Sequence, residues 1–178
     1  MTGVQTCALP ISGGVGYAKT AGNYAASLYP AKIAKEKGFD QILWMDAFEH
    51  KYVQECGAMN VFFVLDGKVI TPSLEAGTIL DGITRKSIID LARSLGHTVD
   101  EREITIDELV DGFNKRTLTE AFGAGTAVTV SKIAGLQYKD TRIQLDAAKM
   151  PIADQLKQSM AAIKDGSAAD SFGWMLKA

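Results

Sequence analysis

Apolar residues recur along this chain in two periods, and the switches between them mark where elements begin and end. Tyr24 to Lys37 has helical spacing, with Leu28, Ala31, Ile33 and Ala34 on its apolar side and Gly38 to stop it. Gln41 to Met45 is a short apolar run of the kind that forms a buried strand. Asn60–Leu65 and Lys68–Thr71 read as strands, and the intervening Asp66-Gly67 is a strong signal for a two-residue hairpin. Pro72 to Gly82 reads as loop. Thr84 to Leu95 returns to the helical period through Ile88, Leu91, Ala92 and Leu95, and Gly96 suits the left-handed residue that ends many helices.

Thr98 to Ile104 has the character of a strand, and Thr105-Ile-Asp-Glu108 fits a capping box that opens a short helix to about Phe113. Glu120–Phe122 and Ala127–Ser131 are strand-like on either side of Gly123-Ala-Gly125-Thr126. Ile133 to Leu145 reads as strand, turn at Lys139-Asp140, and strand. Pro151 sits well in the first turn of a last helix that carries Ile152, Leu156, Met160 and Ile163 and ends at Gly166. Short strands and helices alternate irregularly, with hairpins. That order predicts an α+β fold with a mixed or antiparallel barrel-like sheet flanked by helices, not a doubly wound one. Met1 to Ile11 follows neither period and lacks the basic start and apolar length of a secretory signal. Residues 1–12 are therefore expected to be a disordered or non-native tail, and residues 13–178 one domain.

Composition narrows the function classes. The chain has 178 residues with 19 Lys and Arg against 21 Asp and Glu, a net charge of −2, so no broadly basic nucleic-acid surface is expected. At 47% hydrophobic and 22% charged residues it is ordinary globular material. The longest apolar runs fall far short of the ~20 residues of a membrane span. Two cysteines, Cys7 and Cys56, and two histidines, His50 and His97, are too few for a disulfide scaffold or a cysteine-built metal centre. No metal is expected, and a reducing, cytoplasmic compartment is the simplest setting.

Four local features could carry chemistry. Lys19 follows the glycines Gly13, Gly14 and Gly16, which permit close approach of backbone to a ligand. In a dry pocket such a lysine acts as an amine nucleophile, and on the surface it is only a solvated charge. Glu55, ahead of the first strand of the predicted hairpin, reads equally as a loop carboxylate. Gly82-Ile83-Thr84 opens the best helix, where free N–H groups and the helix dipole favour an anion. Thr84 also reads as a plain N-cap. Gly123-Ala-Gly125-Thr126-Ala127 is a small-residue turn able to offer N–H groups and a hydroxyl, or simply a tight turn.

In order and spacing these segments resemble a known family. Gly16-Tyr-Ala-Lys-Thr-Ala-Gly-Asn-Tyr24, Glu55-Cys-Gly-Ala-Met-Asn60, Ile79-Leu-Asp-Gly-Ile-Thr-Arg85 and Glu120-Ala-Phe-Gly-Ala-Gly-Thr-Ala127 look like the branched-chain amino acid aminotransferases, class IV enzymes of the pyridoxal-phosphate fold type IV. The resemblance runs from about Gly13 to the closing Phe172-Gly-Trp174 and implies the large, cofactor-binding domain of that fold. It implies that Lys19 binds pyridoxal 5′-phosphate covalently and shuttles the proton, and that Tyr24 holds the cofactor's phenolic oxygen. Glu55 would pair with the ring nitrogen, and Ile83, Thr84 and Thr126 would hold the phosphate. Thr126 and Ala127 would bind the substrate α-carboxylate. The implied reaction exchanges an amino group between leucine, isoleucine or valine and 2-oxoglutarate, in a homodimer.

Departures from the family pattern are also visible. Ala21 stands where a second glycine is frequent, Ala58 where threonine is frequent, and Asp81 where many members have proline. The family's N-terminal domain, which supplies a phosphate-binding arginine and most of the side-chain pocket, has no match here. A catalytically impaired cofactor-binding fragment, a D-amino-acid transaminase and an aminodeoxychorismate lyase of the same fold are the competing expectations.

Overall fold

The computed structural model describes residues 2–3 and 14–176. In chain order it contains β1 (Thr2–Gly3), α1 (Ala21–Glu36), β2 (Gln41–Met45), β3 (Val53–Cys56), β4 (Met59–Leu65) and β5 (Lys68–Thr71). These are followed by α2 (Ile83–Ser94), β6 (Val99–Glu101), α3 (Ile106–Asn114), β7 (Leu118–Gly125) and β8 (Thr129–Lys132). The chain continues through β9 (Gly135–Tyr138), β10 (Thr141–Gln144), a 3₁₀ turn at Ala147–Lys149, and α4 (Pro151–Asp165). The tail expected over residues 1–12 lies outside the described residues except for Thr2–Gly3, which pair in parallel with β2.

The α+β expectation holds. β4 is the centre of a mixed sheet: β7 pairs antiparallel along its length on one side, and β3 and β5 share the other side. β6 joins β5 in parallel after the α2 crossover, and β9 and β10 form a separate hairpin. The run Asn-Val-Phe-Phe-Val-Leu of β4 is buried at every position, as expected of a strand covered on both faces. Phe62 and Phe122 are paired across β4 and β7, and their rings stack with centroids 5.2 Å apart. Such a pair adds roughly 0.5–1.5 kcal/mol to the burial of its area. At the β4–β5 turn Asp66 and Gly67 have φ of 49° and 75°, the two left-handed residues that a tight hairpin needs.

α4 shows how a helix start is completed from another element. Its N-cap, Met150, provides no side-chain bond, but Glu120 of β7 accepts from the N–H groups of Ile152 and Ala153 at 3.0 and 2.8 Å. A buried carboxylate thus satisfies two orphan donors and meets the positive end of the helix. Pro151 has no N–H to satisfy, and Gly166 ends the helix at φ 79°. His97, just after α2, ties that helix to α4 through Nε2 and Gln155 Oε1 at 3.0 Å.

Four expectations are corrected. Val53–Cys56 is a strand, so Glu55 is not a loop residue; four residues with two polar positions between apolar ends carry no readable alternation. Gly123–Gly125 belong to β7 and not to a turn. Their missing side chains make room for Met59, since a Cβ at Gly123 would lie 2.8 Å from Met59 Cε. α2 is capped at Gly82, with no side-chain bond, so Thr84 lies one residue inside the helix and is not its N-cap. In α1, Leu28 and Ala31 face outward; Pro30 and Ala34 are the buried residues.

Candidate active site

The four segments singled out in the sequence arrive at one end of the sheet. A cavity of about 520 Å³ is bounded by the loop carrying Lys19, the start of α1, the N-terminal end of β4, the start of α2 and the β7–β8 turn. Lys19, Tyr24, Ile83, Thr84, Thr126 and Ala127 all line it. Glu55 does not; it faces a smaller adjoining cavity of about 150 Å³, and Tyr24, Ala58 and Leu80 line both. The amine and the acid therefore share a wall.

The loop that carries Lys19 is fixed by short-range bonds. Asn23 donates from Nδ2 to the carbonyls of Val15 and Ala18 at 3.0 and 3.1 Å, and Ala18 N–H donates to Val15 at 3.0 Å. These fold the glycine-containing segment against the first turn of α1. The Lys19 side chain is exposed on the cavity side. Beside it, the Thr20 hydroxyl is buried and has no protein partner, an orphan of the kind that a bound group satisfies.

Glu55 is held from the opposite side. Oε1 accepts from the Leu80 N–H at 3.1 Å and from Asn60 Nδ2 at 3.2 Å. Asn60 stands opposite Glu55 in the β3–β4 register and gives a second proton to the Leu80 carbonyl at 2.9 Å. Burial raises the Glu55 carboxyl to about 7, against the opposing pull of the Leu80 N–H. It is thus a group that can hold or release a proton near neutral pH. Its neighbour Cys56 is wholly buried and its thiol is pushed up to about 12, by burial and then by the Glu55 charge. A buried thiol held in its protonated form is a poor nucleophile.

Gly82 opens α2 with extended backbone and an uncapped first turn, so the first N–H groups of a 12-residue helix border the cavity. Such a terminus attracts an anion through its N–H groups and dipole. The β7–β8 turn faces it with Thr126 and Ala127, both exposed. Together the two adjoining spaces offer an amine, a titratable acid, a phenol and an uncapped helix mouth. This donor set suits a planar aldehyde that has a basic ring nitrogen and an anionic arm, and the cavity admits one of that size. Pyridoxal 5′-phosphate fits that description.

Asn23 and Asn60 have no role predicted from the sequence. Asn60 had a signal: an amide inside an otherwise apolar strand must find partners once buried. Arg85 is also buried, where its Nη2 bonds Pro72 O at 2.9 Å and pairs with Glu101 at 3.0 Å; a helix pattern gives no sign of that. Among the described residues no helix is long and apolar enough to cross a membrane.

Known proteins share both sequence and fold with this chain. The family model described as amino-transferase class IV matches residues 11–136. A probable branched-chain-amino-acid aminotransferase of Staphylococcus aureus is 49% identical over 165 residues, 92% of this chain and 46% of the relative. Branched-chain-amino-acid aminotransferase 2 of Bacillus subtilis is 45% identical over 92% of this chain and 45% of its own length. The structure of the Escherichia coli branched-chain amino acid aminotransferase superposes with a TM-score of 0.83 at 26% identity, covering 99% of this chain and 56% of that one. A branched-chain amino acid aminotransferase of T.th., solved with N-(5′-phosphopyridoxyl)-L-glutamate, gives 0.82 at 28% identity, covering 98% and 55%. The chain spans about half the length of the relatives it matches.

Proposed function

Because the chain belongs to the class IV aminotransferases, we propose that it is the cofactor-holding part of a branched-chain amino acid aminotransferase. The proposed reaction uses pyridoxal 5′-phosphate to exchange the amino group of leucine, isoleucine or valine with 2-oxoglutarate. One observation carries this reading: six of the seven expected site residues line one cavity, with Glu55 behind a wall common to both spaces. Bound pyridoxal phosphate supplies an electron sink at the substrate α-carbon.

The residues divide the remaining work. Lys19 Nζ is the amine that anchors the cofactor, and once displaced it carries a proton at the reacting centre. Glu55 faces the ring end. Its raised carboxyl shows that burial already penalises the lone anion, and a cationic ring nitrogen beside it restores the charged form as an ion pair. Tyr24 hydroxyl orients the phenolic oxygen. The N–H groups at Ile83 and Thr84 and the Thr84 and Thr126 hydroxyls take the phosphate, while the Thr126-Ala127 turn takes the α-carboxylate. A homodimer and a cytoplasmic location go with this reading.

Purified protein mixed with pyridoxal 5′-phosphate is expected to develop a visible absorption band, and Lys19→Ala to abolish it with little change in folding. An unchanged band in the variant refutes the assignment of Lys19. Release of a branched-chain 2-oxo acid from leucine and 2-oxoglutarate tests whether turnover accompanies binding.

A further inference from the structure

The assigned groups lie at two ends of the site, and a single amide connects them. Asn60 is 6% exposed, and both its protons are used: one on Glu55 Oε1, the other on the Leu80 carbonyl. Glu55 in turn takes the N–H of Leu80. The Leu80 residue is thus held at N–H and C=O by two neighbouring side chains of the β3–β4 hairpin. Its carbonyl also receives the Gly82 N–H at 2.9 Å, α2 begins at the very next residue, Ile83, and the Asn60 oxygen is seated on Gly82. A Cβ at Gly82 would fall 2.3 Å from Asn60 Oδ1, closer than any side chain tolerates. Gly82 has φ −72°, so nothing in its own backbone demands glycine; contact with Asn60 does.

We propose that Asn60 is a positioning residue that locks the ring acid Glu55 and the helix mouth at Gly82-Ile83-Thr84 into one rigid unit, fixing the spacing between the ring end and the phosphate end of the site. The inference rests on the pyridoxal-phosphate reading above. Aspartate would leave two acceptors, Glu55 and the Leu80 carbonyl, facing a third, and alanine would leave the carboxylate and carbonyl without their donor. Only an amide gives two protons while presenting an oxygen to the glycine.

A ligand spanning both ends feels the spacing, and one that occupies a single end does not. The test is the dissociation constant of the apoprotein for pyridoxal 5′-phosphate, for pyridoxal and for inorganic phosphate. In Asn60→Ala, loss of a charge-assisted bond and of alignment is expected to weaken pyridoxal 5′-phosphate by about tenfold or more, with the two single-ended ligands weakened about threefold or less. Equal loss for pyridoxal and pyridoxal phosphate would overturn the proposal, because Asn60 would then only support Glu55. Gly82→Ala provides a second route if Asn60→Ala folds poorly, since it pushes on the same amide oxygen from the helix side. It is expected to reproduce the selective loss, and to add nothing further in the Asn60→Ala background, where the collision is gone. A full, additive loss there overturns the coupling. If the unaltered protein binds none of the three ligands, it is the pyridoxal-phosphate reading that fails.

Discussion

The two helices bordering the cavity are held in opposite ways. α2 buries Arg85, Ile88, Ile89, Leu91 and Ala92 along its 12 residues, whereas α1, with 16, buries only Pro30 and Ala34. Leu28 and Tyr29 of α1 are 72% and 73% exposed, and Pro30 removes one of the helix's own hydrogen bonds. The side bearing Glu55 and the anion mouth is thus built into the core of the fold, with β3 paired to β4 and α2 packed against β7. The side bearing Lys19 is attached through Asn23 and a short turn. Groups that fix a ring and a phosphate need rigid walls. In the proposed reaction the Lys19 amine is displaced and returned, which needs freedom to move, and the looser hold suits it.

The largest effect should come from undermining the rigid side. Phe62→Ala removes one of two stacked, wholly buried rings and is expected to cost about 3–5 kcal/mol in urea unfolding. A loss below about 1 kcal/mol would mean that the sheet beneath the site repacks freely, and the contrast between the two sides would fall. A smaller effect is expected from pH. Burial lifts Glu55 from 4.5 to about 7, so its contribution to stability is complete below pH 4.5 and is lost as pH rises through 7. Between pH 5 and 8 the unliganded protein should lose up to about 3 kcal/mol more than Glu55→Gln, which has no charge to bury. Parallel stability curves for the two proteins would place Glu55 in water and remove it from the rigid wall. Pyridoxal 5′-phosphate should flatten the slope in the unaltered protein by keeping the carboxylate charged.

The contrast also explains what the sequence disclosed. The long periodic helices, the Asp66-Gly67 hairpin, the Thr105 capping box, whose hydroxyl accepts from Glu108 N–H at 3.1 Å, and the final helix from Pro151 were all legible, because each depends on neighbours along the chain. β3 was not, since Val53–Cys56 becomes a strand only between β2 and β4. The glycines of β7 looked like a turn because the methionine that fills their missing volume lies on another strand. Lys19, Tyr24, Ile83, Thr84, Thr126 and Ala127 were recognised through their segments, and the fold gathers them at one cavity. Asn60 escaped because its role is to connect two of those segments, and no single segment contains the connection.

α1 gives the smallest expected effect and the sharpest check on the looser side. From the pattern Leu28 belongs to the apolar stripe, and Tyr29 stands next to it. In the structure both side chains are exposed, and the helix rests on β2 through Ala34, which packs with Ile42 and Trp44. Exposed helical positions contribute little beyond propensity, and serine is close to tyrosine and only slightly below leucine on that scale. Leu28→Ser and Tyr29→Ser are therefore each expected to change the stability of the isolated chain by no more than about 0.5 kcal/mol. Urea unfolding decides the matter. A loss above about 1 kcal/mol for either would show that the side chain packs within this chain, that α1 is held as firmly as α2, and that the freedom assigned to Lys19 has no structural basis.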